Sequence, residues 1–160
     1  MPMIDITIPQ GALTAHAERR LLDRLTDVLL KHEGADPTSP VARSLAWVFL
    51  HRPAAVYVAG TPVSEPRYRV VASVPEGQFD DERRAAMVAD VTGVVLDAEG
   101  GTRPRDPSRV WVFAREVPDG TWGAGGRIAR LGDIVGMVLQ NVEHGRRYAH
   151  ARLAARAGGR

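Results

Sequence analysis

Met1-Pro2-Met3-Ile4-Asp5-Ile6-Thr7-Ile8-Pro9-Gln10-Gly11 opens the chain, and Tyr68-Arg69-Val70-Val71-Ala72-Ser73-Val74-Pro75-Glu76-Gly77 repeats its course, Pro75 to Gly77 standing 66 residues beyond Pro9 to Gly11. In the first copy Ile4, Ile6 and Ile8 alternate with Asp5 and Thr7, so the isoleucines share one face of a strand and the polar pair the other. The Pro-Gln-Gly turn ends the strand. Thr14 is then placed to cap a helix whose apolar stripe is Leu21, Leu22, Leu25, Val28 and Leu29, with charges on the opposite face and an end near Gly34. A polar connection from Asp36 to Ser39, with a short helical turn reaching Ser44, leads into an apolar strand at residues 45–50, stopped by His51-Arg52-Pro53. Val56-Tyr57-Val58 reads as a short extra strand or hairpin.

The second copy follows the same plan. Asp80 caps a helix with the stripe Met87, Val88, Val91, Val94 and Val95, which ends at Gly100-Gly101. Val110-Trp111-Val112-Phe113-Ala114 then answers the strand at residues 45–49, and Pro118 stands 65 residues beyond Pro53. Two β-α-β units therefore occupy one chain. Each unit makes a right-handed crossover between parallel strands. Side by side they give an α/β (α+β) layer: a four-stranded sheet with two helices on one face. The expected boundaries are one domain over residues 1–140, with halves at 2–60 and 67–126 joined by a Pro-containing linker at 61–66, and a basic C-terminal helix or tail at 141–160. Ile4, Ile6, Trp47, Phe49, Trp111 and Phe113 are apolar enough to predict sheets packing against those of other protomers, hence a homo-oligomer.

Composition narrows the function classes. The chain has 160 residues, 44% hydrophobic and 25% charged, and contains no cysteine. That is the balance of a soluble globular protein, and it rules out disulfides, thiolate catalysis and cysteine-ligated zinc. With no apolar run near the roughly 20 residues of a bilayer span and no basic leader, no membrane association is expected and a cytoplasmic location follows. Arg146, Arg147, Arg152, Arg156 and Arg160 form a tail with no acid after Glu143, leaving 16 bases against 19 acids elsewhere. Lacking an aromatic platform, that tail reads as a solvated terminus and not as a nucleic-acid surface. Gly123-Ala124-Gly125-Gly126 has no Lys-Ser/Thr after it and is no phosphate loop. The histidines lack metal spacing and no serine sits in a nucleophile elbow, so neither metal nor cofactor is expected.

Pro2 carries the candidate chemistry. Loss of Met1 would leave a free secondary amine at the start of a strand. Model α-amines titrate near about 7.7–8.0, and burial or nearby cations lower an ammonium pKa further. A neutral amine there can abstract a proton beside a carbonyl and return it elsewhere. Tyr68 aligns with Pro2 in the second copy and has no free amine, so one catalytic proline per chain is expected.

Met-Pro at the start, the strand with its Gly turn, the amphipathic helix, the second strand and the segment Gly120-Thr121-Trp122-Gly123-Ala124-Gly125-Gly126-Arg127 together resemble the tautomerase superfamily. The tandem length, with His51-Arg52-Pro53 and Gly132-Asp133-Ile134-Val135-Gly136, is similar to its fused-subunit branch of malonate semialdehyde decarboxylases and cis-3-chloroacrylic acid dehalogenases. The resemblance spans about residues 2–140. It implies the tautomerase fold, a homotrimer, Pro2 as general base, and a small 2-oxo acid or enol as substrate. Family arginines would fall near Ala12, Pro75, Gln78 and Trp111, and none is arginine here. The family's helix-end acid or histidine has no clear match, Leu29 aligning there with His32 close by, and a family tyrosine becomes Phe113. Arg115 then becomes a candidate for the carboxylate, against the alternative of a strand-end charge paired with Glu116. Arg127 is the second candidate, against an interface or hairpin arginine. Trp111, Phe113 and Trp122 would wall the pocket, with ordinary core packing as the alternative for Trp122. His51 reads as structural, and Tyr57 as a residue facing a neighbouring protomer. Decarboxylation or dehalogenation of a small acid, or a ligand-binding role without catalysis, are the alternatives to tautomerisation.

Overall fold

The computed structural model describes residues 2–157, excepting the side chains of Arg156 and Ala157. Met1, Arg160 and the Arg156 side chain, on which the sequence reading also drew, lie outside the described residues. Strand β1 (Met3–Thr7) leads through helix α1 (Ala15–Glu33) and the short helix α2 (Pro40–Ser44) to β2 (Trp47–His51). A small hairpin, β3 (Tyr57–Val58) with β4 (Thr61–Pro62), precedes the second unit, so the expected linker begins as a paired strand. That unit is β5 (Tyr68–Pro75), α3 (Asp81–Ala98) and β6 (Val110–Val117), the last entered through a single 3-10 turn. A second hairpin, β7 (Gly123–Ala124) with β8 (Arg127–Ile128), then leads to helices α4 (Leu131–Val138) and α5 (Val142–Ala157).

The expected caps are in place: the Thr14 side chain accepts from the Ala17 N–H and Asp80 from that of Arg83. The expected sheet also forms, in the order β2-β1-β5-β6. Within each unit the strands are parallel, and the two units meet antiparallel at β1 and β5. Helices α1 and α3 pack on each other and on one face of the sheet. Ile4, Ile6 and Ile8 meet Leu21, Leu25 and Leu29 there, all buried, and each such side chain contributes roughly 1.5–3 kcal/mol on leaving water.

The helix-covered face corrects one expectation. Ile4 and Ile6 are 3% and 0% exposed beneath the chain's own helices, so they take no part in an outer apolar surface. That surface comes from the alternate residues. The register sets Trp47-Met3-Ser73-Arg115, Phe49-Asp5-Val71-Phe113 and His51-Thr7-Arg69-Trp111 in three cross-strand rows on the open face. Trp47 and Trp111 stand at opposite corners, 64% and 68% exposed, with Phe49 and Phe113 at opposite ends of the middle row. Arg69 lies 5.8 Å over the Phe113 ring, and His51 Nε2 is 2.7 Å from Asp5 Oδ1.

The C-terminal pair α4 and α5 packs backbone to backbone, which only glycine permits. A Cβ on Gly145 would lie 2.4 Å from the Gly132 carbonyl oxygen and 2.5 Å from the Gly136 nitrogen. Alanine normally stabilises a helix relative to glycine by about 1 kcal/mol. Here Gly145→Ala is expected to have the opposite sign, costing about 1–3 kcal/mol by overpacking. A lower Tm together with faster proteolysis within residues 131–157 would show it; a raised Tm would contradict the packing.

Candidate active site

Pro2 is buried at the head of β1, its carbonyl accepting a hydrogen bond from the Trp47 N–H. Beside it opens a cavity of about 440 Å³. Its first wall is the end of α1, where Gly34 takes the left-handed conformation (φ 85°) that closes the helix and turns the chain toward α2. That turn leaves Glu33, the last helical residue, on the cavity wall. Gln78, just past β5, forms another part of the lining. The remaining side belongs to α4 and α5, with Ile134, Val138, His144 and Tyr148.

Glu33 is 8% exposed. Burial pushes its carboxyl above the usual carboxylate range. A raised carboxyl pKa in the folded state means that folding is favoured while the group is protonated, and that this contribution is lost as pH rises from the unfolded value toward the folded one. Glu33→Gln is therefore expected to raise Tm at pH 8 by roughly 2–4 °C, with the difference vanishing near pH 4. Thermal denaturation of both proteins across that range checks the sign.

Gln78 is 2% exposed, and its side-chain oxygen accepts from the Tyr148 hydroxyl at 2.9 Å. Its backbone carbonyl and that of Gly77 accept from Arg152 of α5, at 3.0 and 2.6 Å. Part of the basic tail is thus docked structure. Gly77 has a φ of 88° and a Cβ there would stand 3.3 Å from that of Arg152, so glycine is required both by conformation and by the close approach of α5.

Of the six residues singled out in the sequence, only Pro2 lines this cavity. Trp111, Phe113 and Arg115 lie on the open sheet face, Arg127 is exposed on β8, and Trp122 is half-buried between β6 and β7. Arg115 stands in the same cross-strand row as Met3, separated by Ser73, about 10 Å across two strand spacings. The alternative pairing with Glu116 does not occur, because that carboxylate accepts from the Gly77 and Phe79 N–H groups. His32 binds Asp90 on α3 at 2.8 Å and is structural.

Glu33 is the site residue that sequence reasoning missed, although the repeat held the signal. The offset of 66 that pairs Pro2 with Tyr68 also pairs Glu33 with Glu99, Gly34 with Gly100 and Arg43 with Arg109. In the second copy these positions form a closed network: the Tyr68 hydroxyl donates to Glu99 at 2.9 Å, and Arg109 grips both carboxylate oxygens at 2.5 and 2.6 Å. One copy has an open cavity at this position, and in the other it is plugged by side chains.

Comparison with known proteins fits this architecture. The family described as tautomerase enzyme matches residues 70–131. Among solved structures, Pt0534 inactivated by 2-oxo-3-pentynoate and the symmetric trimer of a fused 4-OT each share 25% identity at a TM-score of 0.64, covering 79% of this chain and 94% of theirs. A member of the cis-3-chloroacrylic acid dehalogenase family, at 17% identity and a TM-score of 0.63 over 79% of this chain and 82% of its own, shares the fold. No curated protein matches the chain. Sheet topology, the family match over residues 70–131 and the structural neighbours agree on the tautomerase fold.

Proposed function

We propose that the protein is a keto–enol tautomerase in which the Pro2 amine, freed by loss of Met1, is the general base. The observation that carries this reading is Pro2 itself, buried at the wall of a 440 Å³ cavity that it shares with the buried carboxyl of Glu33. Burial disfavours the ammonium form of the amine, as it disfavours the ionised form of Glu33. The amine takes the enol O–H proton, the C–O bond becomes C=O, and the same proton is delivered to the carbon end of the former double bond. Substrate and product are isomers, so nothing else is consumed. Glu33, whose burial favours the protonated form, donates in that form a hydrogen bond to the oxygen as negative charge develops there.

The test is covalent capture. The intact mass should lack Met1, and 2-oxo-3-pentynoate, the inactivator named with one structural neighbour, or the uncharged 3-butyn-2-one should add to the N-terminal peptide at Pro2. Retention of Met1, or no adduct from either reagent, overturns the reading. Glu33 also gives the dehalogenase alternative the acid that it lacked in the sequence, because its ionised form, favoured as pH rises, can orient water for hydration of an activated double bond. Halide release from 3-chloroacrylate with the Glu33-dependent rate expected of that step would favour it.

The open sheet face supports a homotrimer, the assembly named for several structural neighbours. Trp47, Phe49, Trp111 and Phe113 would be covered there, and Arg115 and Arg127 would reach a cavity only as residues of another protomer. Trp111→Glu combined with Phe113→Glu is expected to shift the protein to monomer in light scattering; an unchanged mass would place the interface elsewhere.

A further inference from the structure

The reading that Pro2 is the base leaves the substrate open, and the cavity's own side chains narrow it. Among the described residues, no lysine or arginine lines the cavity, whereas Glu33 and Asp36 do. Arg152 of α5 is already committed, donating to the Gly77 and Gln78 carbonyls. A carboxylate entering here meets acids and no cation, and leaves water without compensation. What the cavity offers in place of a cation is neutral hydrogen bonding. The Gln78 amide is held through its oxygen by Tyr148, and its nitrogen donates to nothing else among the described residues, although the residue is 2% exposed. The His144 imidazole, on the same wall, likewise has no side-chain partner among the described residues. Apolar surface from Leu30, Ile134 and Val138 fills the rest.

We infer that this cavity takes an uncharged enol or its ketone, with the carbonyl oxygen accepting from the Gln78 amide and the apolar body lying against α4 and α5. The helices that build this wall follow the residues matched by the family, which end at 131. Specificity is thereby assigned to the C-terminal extension, with Gln78 as the group that reads the carbonyl.

The experiment compares one scaffold in two charge states: phenylenolpyruvate and its methyl ester, assayed for ketonisation with the full chain. The expected result is a kcat/KM at least about tenfold higher for the ester, since a single desolvated charge without a partner is worth that much or more. A preference for the acid, whether or not it is lost in Arg115→Ala or Arg127→Ala, overturns the inference, its loss there showing that another protomer supplies the cation. Gln78→Leu should raise KM for the ester about tenfold while leaving kcat nearly unchanged, and Tyr148→Phe, which keeps the wall, should do so in smaller measure. An unchanged KM for the ester in a folded Gln78→Leu protein also overturns it. Should neither compound be turned over, the base assignment falls but the ligand class is still decided by calorimetry: phenylacetone binding more tightly than phenylpyruvate supports the inference, and the reverse order refutes it. Relative labelling by 3-butyn-2-one and 2-oxo-3-pentynoate, each divided by its rate with free proline, gives the same decision on a covalent readout.

Discussion

Pro2→Ala is expected to lower kcat/KM for enol ketonisation by about 10²–10⁴-fold, the range that a positioned general base contributes. Alanine in second place still allows Met1 to be removed, so the variant keeps a primary amine at the chain start, and activity remaining inside that range belongs to it. A stricter variant keeps Pro2 but places an added glutamine between it and Met1, which blocks removal and turns the nitrogen into an amide. An amide nitrogen has no basic lone pair, and turnover should fall to background. Neither change should unfold the protein. The fold uses Pro2 through its carbonyl, which accepts from the Trp47 N–H, and that bond survives both substitutions. A Tm close to that of the parent together with lost activity would separate chemistry from stability. Undiminished activity in the amide variant would remove Pro2 from the mechanism.

The elements that the sequence displayed are those whose signals are local. Thr14 and Asp80 cap their helices because a short oxygen side chain ahead of an apolar stripe has one favourable use. The parallel crossovers followed from strand-helix-strand order. Facing was harder, since Ile4 and Trp47 both read as apolar strand residues and only the helices overhead decide which is covered. Strand β6 also runs three residues beyond the expected Ala114, to Val117, because its end is held by pairing with β5 rather than by its own sequence. The cavity was least legible. Glu33 looks like any helix-end acid until Gly34 turns the chain back and α5, some 110 residues later, closes over it. Helix α4 is absent from the sequence reading, where Gly132-Asp133-Ile134-Val135-Gly136 carries only a family resemblance; Gly132 and Gly136 are small so that Gly145 can approach.

Glu99→Ala is expected to cost about 3–5 kcal/mol, because it leaves a buried guanidinium without its counter-charge. The Arg109 side chain is 0% exposed, and Glu99 holds two of its nitrogens; what remains is the Pro104 carbonyl at 2.9 Å and Glu65 at 3.8 Å. In a chain of this size the loss corresponds to a fall in Tm on the order of 10 °C. The Arg109 hydrogen bonds, more than the Tyr68 hydroxyl, hold the Glu99 carboxyl below its ordinary range. A depressed carboxylate pKa contributes stability that is present above the unfolded value and lost as pH falls through the folded one. The gap between parent and variant should therefore be full at pH 7 and close in acid. Replacing both partners with apolar residues, Glu99→Leu with Arg109→Met, should recover most of the loss; failure to recover would mean that the network does more than neutralise itself. Because Glu99 is the repeat partner of Glu33 yet belongs to the plugged copy, the folded fraction of Glu99→Ala should keep the parent's kcat/KM. Activity would then follow the copy that kept its cavity, and stability the copy that filled it.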